Sequence, residues 1–390
     1  MILLMIKKKI IIFGAGLYGK KALEQYRGDN VEYFIDNSPN KQGQMYCDRL
    51  VISPEKAAEL KNEYHIVVAS IYASSMVKQL KELEVSDFSI FVERVSGYYD
   101  TDELIVNPYD TVKEAHSESE WSESERLDYM RKSVNDEVEV LHSNQPLFNH
   151  IEIETINRCN GSCSFCPVNH KDDPREKAVM SEELFKSIVN QLAEINYSGR
   201  FTTFSNNEPL LDERIIDFNR YAREQLPKAR IHMFTNGTLL DIDKFVELVD
   251  VLDELIIDNY QQELKLIKPS EKIVEYCEEH PELKSKVTIV LRKPKEILTS
   301  RGGTAPNRKE LVEYSKDRCV LPFKQIIVRP TGQISLCCND AIGKYTLGDL
   351  NKEKLLDIWY GPRFDMVRKS LYEGRENWGN CKFCDTFNIG

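Results

Sequence analysis

Two stretches of the chain alternate short apolar runs with amphipathic helical patterns, and a third stretch between them loses that alternation. In the first, from about residue 7 to 95, strands are predicted at Lys9–Phe13, Val31–Ile35 and His65–Ala69, with helices through Gly19–Tyr26 and around Pro54–Leu60. Strands separated by helices predict a small parallel sheet. From about 148 to 330 the alternation resumes. Its strand candidates are Phe148–Ile156, Arg200–Phe204, Ile231–Phe234, Glu254–Ile257, Val287–Leu291 and Gln325–Val328, with helices such as Ser181–Leu192 and Asp212–Leu226 between them. Six such units in succession predict a parallel barrel or part of one, with its active site at the C-terminal ends of the strands. Between roughly 96 and 145 the chain is rich in Tyr, Asp, Ser and Glu, and Glu118, Glu120, Glu123 and Glu125 crowd around Trp121. That composition predicts a linker or an irregular bridging segment.

Length and charge narrow the function classes. At 390 residues the chain is too long for one ordinary domain. Its apolar N-terminal run is broken by Lys7, Lys8 and Lys9, far short of the roughly 20 residues of a membrane span, and no secretory signal pattern follows. A cytoplasmic protein without a membrane partner is expected. A net charge of −11 argues against a nucleic-acid partner, which would need a basic face, but leaves a small anionic substrate open. Eight of the ten cysteines fall in two clusters, which points to metal and away from a disulfide framework. Cys47 and Cys277 stand alone and read as structural.

Cys159, Cys163 and Cys166 form C-x3-C-x2-C at the end of a predicted strand. Three thiolates on one loop suit three irons of a [4Fe–4S] cubane and leave the fourth iron open to a small molecule, whereas a structural zinc site would want four ligands. The second set is Cys319, twelve residues, Gly332, four residues, Cys337, a long gap, and then Cys381-Lys382-Phe383-Cys384. Four thiolates complete every iron of a cubane, which would then move electrons; a four-cysteine zinc site gives a similar pattern.

The first cysteine spacing, with Phe165 before the last cysteine, resembles the radical S-adenosylmethionine (SAM) superfamily. Downstream landmarks fit the resemblance. Ser205-Asn206-Asn207-Glu208-Pro209 stands where the family carries Gly-Gly-Glu-Pro, with Asn206 and Asn207 replacing the glycines. Thr235-Asn236-Gly237-Thr238 matches the turn near the SAM ribose, although alone it reads as a plain turn before a helix. The resemblance implies SAM chelated at the open iron, with Phe165, Ser205, Asn207, Glu208 and Asn236 around it. It further implies Glu208 as acceptor for the SAM amino group and Arg292 at the SAM carboxylate. The C-terminal spacing is similar to a twitch domain, the shortened form of SPASM, so two [4Fe–4S] clusters are implied, not three. An electron donor such as flavodoxin or ferredoxin is implied as partner. Within the family the spacing is similar to aminocyclitol dehydrogenases, which oxidise a ring alcohol to a ketone.

Three residues near the second set are candidates for chemistry. Asp340 is either the base that takes the hydroxyl proton or a backbone cap. Cys338 is either a hydrogen-atom donor, which would make the enzyme an epimerase, or a buried small residue beside a ligand. Arg301 either holds an anionic substrate group or makes a surface salt bridge. At the other end of the chain, Gly14-Ala15-Gly16-Leu17-Tyr18-Gly19 follows a strand and opens a helix, and Asp36 ends the next strand. Glycines admit close backbone approach, the helix N-terminus attracts phosphate, and the carboxylate suits ribose hydroxyls; tight strand–helix packing alone also accounts for the glycines. This stretch resembles the Rossmann-like domains of nucleotide-sugar metabolism, and nucleotide-sugar binding ranks above NAD.

The expected architecture is α/β throughout: a Rossmann-like parallel sheet (1–95), a bridge (96–145), a partial (β/α)6 radical SAM barrel (146–310) and a twitch iron–sulfur domain (311–390). The expected function is oxidation of a carbinol of a sugar or polyol, nucleotide-linked, in surface polysaccharide or secondary metabolite biosynthesis. Alternatives are epimerisation through Cys338, peptide modification, and a non-catalytic metal scaffold with a nucleotide sensor.

Overall fold

Three consecutive isoleucines and a phenylalanine make β1 (Lys9–Phe13) a strand buried on both faces, the pattern of a central parallel strand. The computed structural model describes residues 8–26, 30–70, 72–93, 97–99, 103–110, 123–143, 145–168, 171, 173–308 and 316–387. In the first sheet β1 is joined by β2 (Val31–Ile35), β3 (Met45–Tyr46), β4 (Arg49–Ile52), β5 (Tyr64–Val68) and β6 (Phe88–Ile90). Their order is β3-β4-β2-β1-β5-β6, parallel except for the short β3–β4 pair. Helices α1 (Leu17–Gln25), α2 (Pro54–Glu59) and α3 (Ala73–Glu82) connect them. Ser53 starts α2 by accepting the Lys56 N–H, with Pro54 at the first helical position. Because β2 lies on one side of β1 and β5 on the other, the strand order reverses at the glycine loop that follows β1.

A second sheet is built from β7 (Ile105–Val106), β8 (His150–Ile153), β9 (Arg200–Thr202), β10 (Arg230–Thr235), β11 (Glu254–Tyr260), β12 (Val287–Arg292), β13 (Gln325–Val328), β14 (Gln333–Ser335) and β15 (Gly348–Asp349). Its order is β15-β14-β13-β8-β9-β10-β11-β12-β7, with the run from β13 to β7 parallel and the last two strands antiparallel. The six strands expected in the barrel are all present, but β13 pairs with β8 and does not continue past β12. That pairing carries the C-terminal cysteines back beside the first barrel strand.

The segment 96–145 corrects the expectation of an irregular bridge. It supplies β7, which fills the sheet edge beside β12, and α4 (Glu123–Ser143), a helix of 21 residues. Val134, Val138 and Leu141 make a seam at helical spacing that packs on Val320 and Phe323. Abundant polar residues hide this narrow seam in the composition. Glu118, Glu120 and Trp121 lie outside the described residues.

Helices α5 (Glu182–Ala193), α6 (Ile215–Gln225), α7 (Ile242–Val251) and α8 (Lys268–Glu279) cover the outer face of the barrel sheet. Alternation along the strands sends Ile151, Ile153, Phe201, Ile231 and Met233 to these helices. The opposite set, including His150, Glu152, Thr202 and His232, faces inward and is buried. Tyr98 lies across the N-terminal end of this interior. Its N–H donates to the Glu254 carboxylate at 3.1 Å, its ring centroid is 4.9 Å from that of His232, and the Arg200 guanidinium stacks 4.5 Å from its centre.

The N-terminal unit packs on that same end of the barrel. Ile90 N–H donates to Ile195 O at 3.3 Å, the Asn196 amide donates to Phe88 O, and Lys81 pairs with Glu194 at 3.3 Å. Tyr18 and Phe91 share a small cavity with Asn149 and Lys324, the residues immediately before β8 and β13.

Candidate active site

Cys159, Cys163 and Cys166 occupy the loop that leaves β8 at its C-terminal end. The Cys166 N–H donates to Cys163 O at 3.1 Å, which closes a tight turn, and the Ser164 N–H donates to Pro294 O at 2.8 Å, which pins the loop to the segment after β12. Gly161 N–H reaches Cys159 Sγ at 3.2 Å. A Cβ on Gly161 would stand 3.2 Å from Cys159 Sγ and 4.0 Å from Cys163 Sγ, so the missing side chain leaves the loop its cradle. Burial pushes the Cys159 thiol up to about 11 and the Cys163 thiol up to about 12, and the neighbouring thiols, Cys166 among them, push each further. Cationic iron reverses this mutual repulsion by taking the thiolates, so the three residues fit a cluster.

The second set gathers Cys319, Cys337, Cys381 and Cys384. Burial raises the Cys337 thiol well above its ordinary value, and Cys338, Cys319, Cys381 and Cys384 add to the rise. Turns closed by Cys381 N–H to Trp378 O at 2.8 Å and Cys384 N–H to Cys381 O at 2.9 Å set the last pair. Arg375, 1% exposed, ties the first cysteine to the last. Its guanidinium donates to Arg318 O at 3.1 Å, to Thr386 O at 2.6 Å and to Cys384 O. Four thiols fit a fully ligated cluster.

The polar motifs meet beside the first set. Asn236 Nδ2 lies 3.9 Å from Cys159 Sγ and donates to Asn160 Oδ1 at 2.8 Å, while Thr238 closes the triangle by accepting from Asn160 at 2.9 Å. Ser205 N–H donates to Asn207 Oδ1 at 3.0 Å. Asn206 Oδ1 and Asn207 Nδ2 are buried without a hydrogen-bond partner, orphaned polar atoms of the kind a bound cofactor satisfies. Phe165 is buried with its ring 6.0 Å from Tyr260.

Several expected roles change in the structure. Glu208 is engaged by the protein itself: its carboxylate accepts from Leu210 N–H at 3.1 Å and Thr235 Oγ1 at 2.7 Å on one oxygen and from Asn236 N–H at 2.8 Å on the other. It braces the turns after β9 and β10. Arg292 is held by Glu296, with Nε and one NH2 group on Oε1 at 2.8 and 2.6 Å. Asp340 is a backbone cap, accepting from Lys344 N–H at 2.8 Å and Tyr345 N–H at 3.0 Å. Arg301 points at Cys166 Sγ, 3.7 Å away, and not at open solvent. Cys338 turns into the barrel, 3.6 Å from the Gln325 amide, with its thiol pushed up to about 12 by burial and by Glu152.

Glu152 and Asp258 are the acids that sequence reasoning missed. Both project from strands into the interior, and the signal was present as polar residues on the inward face of strands otherwise made of isoleucine. Burial pushes the Asp258 carboxyl up to about 6 despite the Arg292 charge, and the Glu152 carboxyl up to about 7, with Glu154 adding to the rise and Ser205 and Arg301 opposing it. His150 Nδ1 lies 3.6 Å from Glu152, and burial holds that imidazole neutral.

A stability slope follows from Glu152. A raised carboxyl pKa means the folded chain keeps a proton that the unfolded chain has released, so the contribution is full below about 4.5 and is lost as pH rises through about 7. In Glu152→Gln this loss, on the order of 3 kcal/mol at most, should vanish. Anaerobic thermal melts from pH 5 to 8 should therefore fall less steeply for the variant than for the parent; parallel profiles would contradict the assignment.

The glycine loop forms a separate pocket of about 370 Å³, lined by Gly14, Gly16, Asp36, Lys41 and Ser70 among others. Gly14 has φ +126, and a Cβ there would meet Ala69 O at 2.4 Å; one on Gly19 would meet Gly14 O at 1.9 Å. Asp36 lines this pocket and is engaged by the loop around it. It accepts from Ala15 N–H at 3.1 Å, Ser38 N–H at 2.9 Å and Lys41 Nζ at 2.9 Å. This pocket belongs to the unit docked on the N-terminal ends of the barrel strands, whereas the cysteines stand at the C-terminal ends.

Comparison with known proteins matches residues 153–265 to the radical SAM superfamily, residues 319–385 to an iron–sulfur cluster-binding SPASM domain and residues 6–91 to the family described as C2185-like, N-terminal. A curated relative from Niallia circulans, S-adenosyl-L-methionine-dependent 2-deoxy-scyllo-inosamine dehydrogenase, is 25% identical over 245 residues, covering 62% of this chain and 95% of the relative. The crystal structure of BtrN in complex with AdoMet and 2-DOIA superimposes with a TM-score of 0.53 at 26% identity, covering 62% of this chain and 94% of that one. With both cysteine sets inside the matched regions, the chain carries a radical SAM domain and a C-terminal iron–sulfur cluster-binding SPASM/twitch domain, whose cofactors are SAM and [4Fe–4S] clusters.

Proposed function

We propose that this oxidoreductase dehydrogenates a carbinol of a sugar, polyol or aminocyclitol. The observation that carries the reading is that likeness to a dehydrogenase runs over 95% of that relative's length. When bound, SAM at the first cluster supplies a 5′-deoxyadenosyl radical that takes the carbinol hydrogen, and the second cluster accepts one electron. The hydroxyl proton goes to Glu152, because Asp340 is engaged as a cap and Glu152 is the inward carboxyl beside Cys338, Ser205 and Arg301. Asn160, Asn236 and Thr238 orient the cofactor beside Cys159, with Asn206 and Asn207 offering the unpaired amide atoms. The N-terminal pocket is read as a distinct nucleotide or nucleotide-sugar site in surface polysaccharide or secondary metabolite biosynthesis. Because it lies at the other end of the barrel, it does not hand a sugar to the same molecule's clusters.

Cys338 favours a second reading. Its protonated thiol lies 3.6 Å from the Gln325 amide and feels the Glu152 charge in the barrel interior, the position of a hydrogen-atom donor for epimerisation. A screen of 2-deoxy-scyllo-inosamine, other polyols and nucleotide sugars for stimulated 5′-deoxyadenosine formation, with mass analysis of product, decides between them. Dehydrogenation removes two hydrogens; epimerisation in deuterated water keeps the formula and inserts one deuterium. A product of unchanged mass in ordinary water that gains one deuterium in deuterated water only when Cys338 is intact would replace the dehydrogenase reading.

A further inference from the structure

The loop 300–304 touches both sets of thiols. Arg301, Gly302 and Gly303 follow one another with φ of +47, +60 and +79, a left-handed run that the loop holds only because its start is anchored. Ser300 N–H donates to Asp385 Oδ1 at 2.7 Å, its hydroxyl donates to Phe383 O at 2.6 Å, and Arg308 pairs with Asp385 from the other side. Phe383 and Asp385 flank Cys384. Gly302 lies against Asn380, the residue before Cys381. From this anchorage Arg301 extends one guanidinium nitrogen to within 3.7 Å of Cys166 Sγ, in the first set.

We propose that Arg301 raises the reduction potential of the first cluster, and that Ser300 and Asp385 are positioning residues through which the auxiliary-cluster turn holds it there. The proposal rests on Cys166 being a cluster ligand and is independent of the substrate. Reduction places one electron, from a donor of the flavodoxin or ferredoxin class, on the cluster and makes it more negative by one charge. A cationic N–H donor on a ligand sulfur stabilises that more negative form, and hydrogen bonds to the sulfurs are among the levers that set such potentials. Lysine keeps the charge but lacks the planar fork that reaches the sulfur from this loop.

The test is a potentiometric titration of the reconstituted protein, reading the part of the reduced-cluster EPR signal that changes when SAM is added. At the potential where the parent is half reduced, Arg301→Gln should have a reduced-to-oxidised ratio about tenfold lower, which for a one-electron couple is about 59 mV. Arg301→Lys should move in the same direction by less. Asp385→Ala and Ser300→Ala, which touch neither cluster's irons, should lower the same midpoint while iron stays at about eight per chain. An unshifted midpoint in Arg301→Gln or Arg301→Lys with full iron would overturn the proposal. A shift in the Arg301 variants alone would overturn the positioning role. Because no substrate is present, failure of the carbinol reading leaves this result legible.

Discussion

Replacing Cys159, Cys163 and Cys166 together by alanine is expected to bring reductive cleavage of SAM down to the level of cluster-free protein, while iron falls from about eight to about four per chain. The three thiols sit on one loop, with Cys166 and Cys159 adding to the rise that burial imposes on Cys163, and the loop itself is fixed by Ser164 to Pro294. Removing all of them deletes the first site without touching Cys319, Cys337, Cys381 or Cys384, whose positions depend on Arg375 and on the β13–β14 pairing. Anaerobic reconstitution, iron analysis and assay of 5′-deoxyadenosine after dithionite check both parts. Persistent cleavage in the triple variant would mean that the catalytic cluster lies elsewhere.

The second large effect is expected at Glu208. In Glu208→Ala three donors, Leu210 N–H, Thr235 Oγ1 and Asn236 N–H, lose their acceptor at a position 1% exposed. Each unpaired buried donor costs about 1–3 kcal/mol, so a loss on the order of 3–6 kcal/mol is expected, roughly 10–20 °C in melting temperature for a unit of this size. The same change frees Asn236 beside Cys159, so SAM affinity should weaken as well. Glu208→Gln keeps the shape but points an amide donor at donors, and its effect should be smaller with the same sign. Equal melting temperatures for parent and Glu208→Ala would remove the brace from this account.

Much of this was legible along the chain. The cysteine spacings, the strands β1, β2, β5 and β8 to β13 and the turn at Thr235–Thr238 are local patterns, and the structure places a strand or turn at each of those stretches. What stayed hidden is long-range pairing. No periodicity states that β13 returns to β8, that β7 is drawn from a Tyr- and Asp-rich segment, or that a glutamate in a motif is occupied by backbone amides from the next turn. Asp36 and Arg292 teach the same lesson: residue type and position along a strand mark a group as facing a site, but neighbours only folding brings close, Lys41 and Glu296, decide whether it is free. Glu152 was overlooked for the opposite reason. Its strand reads as apolar, and the inward line of His150, Glu152 and Glu154 acquires meaning only once a barrel interior exists to receive it.

Adjacent Cys337 and Cys338 have different surroundings: Cys337 lies among Cys338, Cys319, Cys381 and Cys384, while Cys338 also meets the Gln325 amide at 3.6 Å and the Glu152 charge. The register of β14, with Ser335 opposite Ile327 and Ile334 opposite Val328, sets the strand from which the chain enters their turn. A slip of one residue would exchange every inward side chain for an outward one. Two chemically identical sulfurs on adjacent residues are therefore not spares for each other: in the turn that follows a three-residue strand, one is set among the cysteines at the C-terminus and the other against the Gln325 amide.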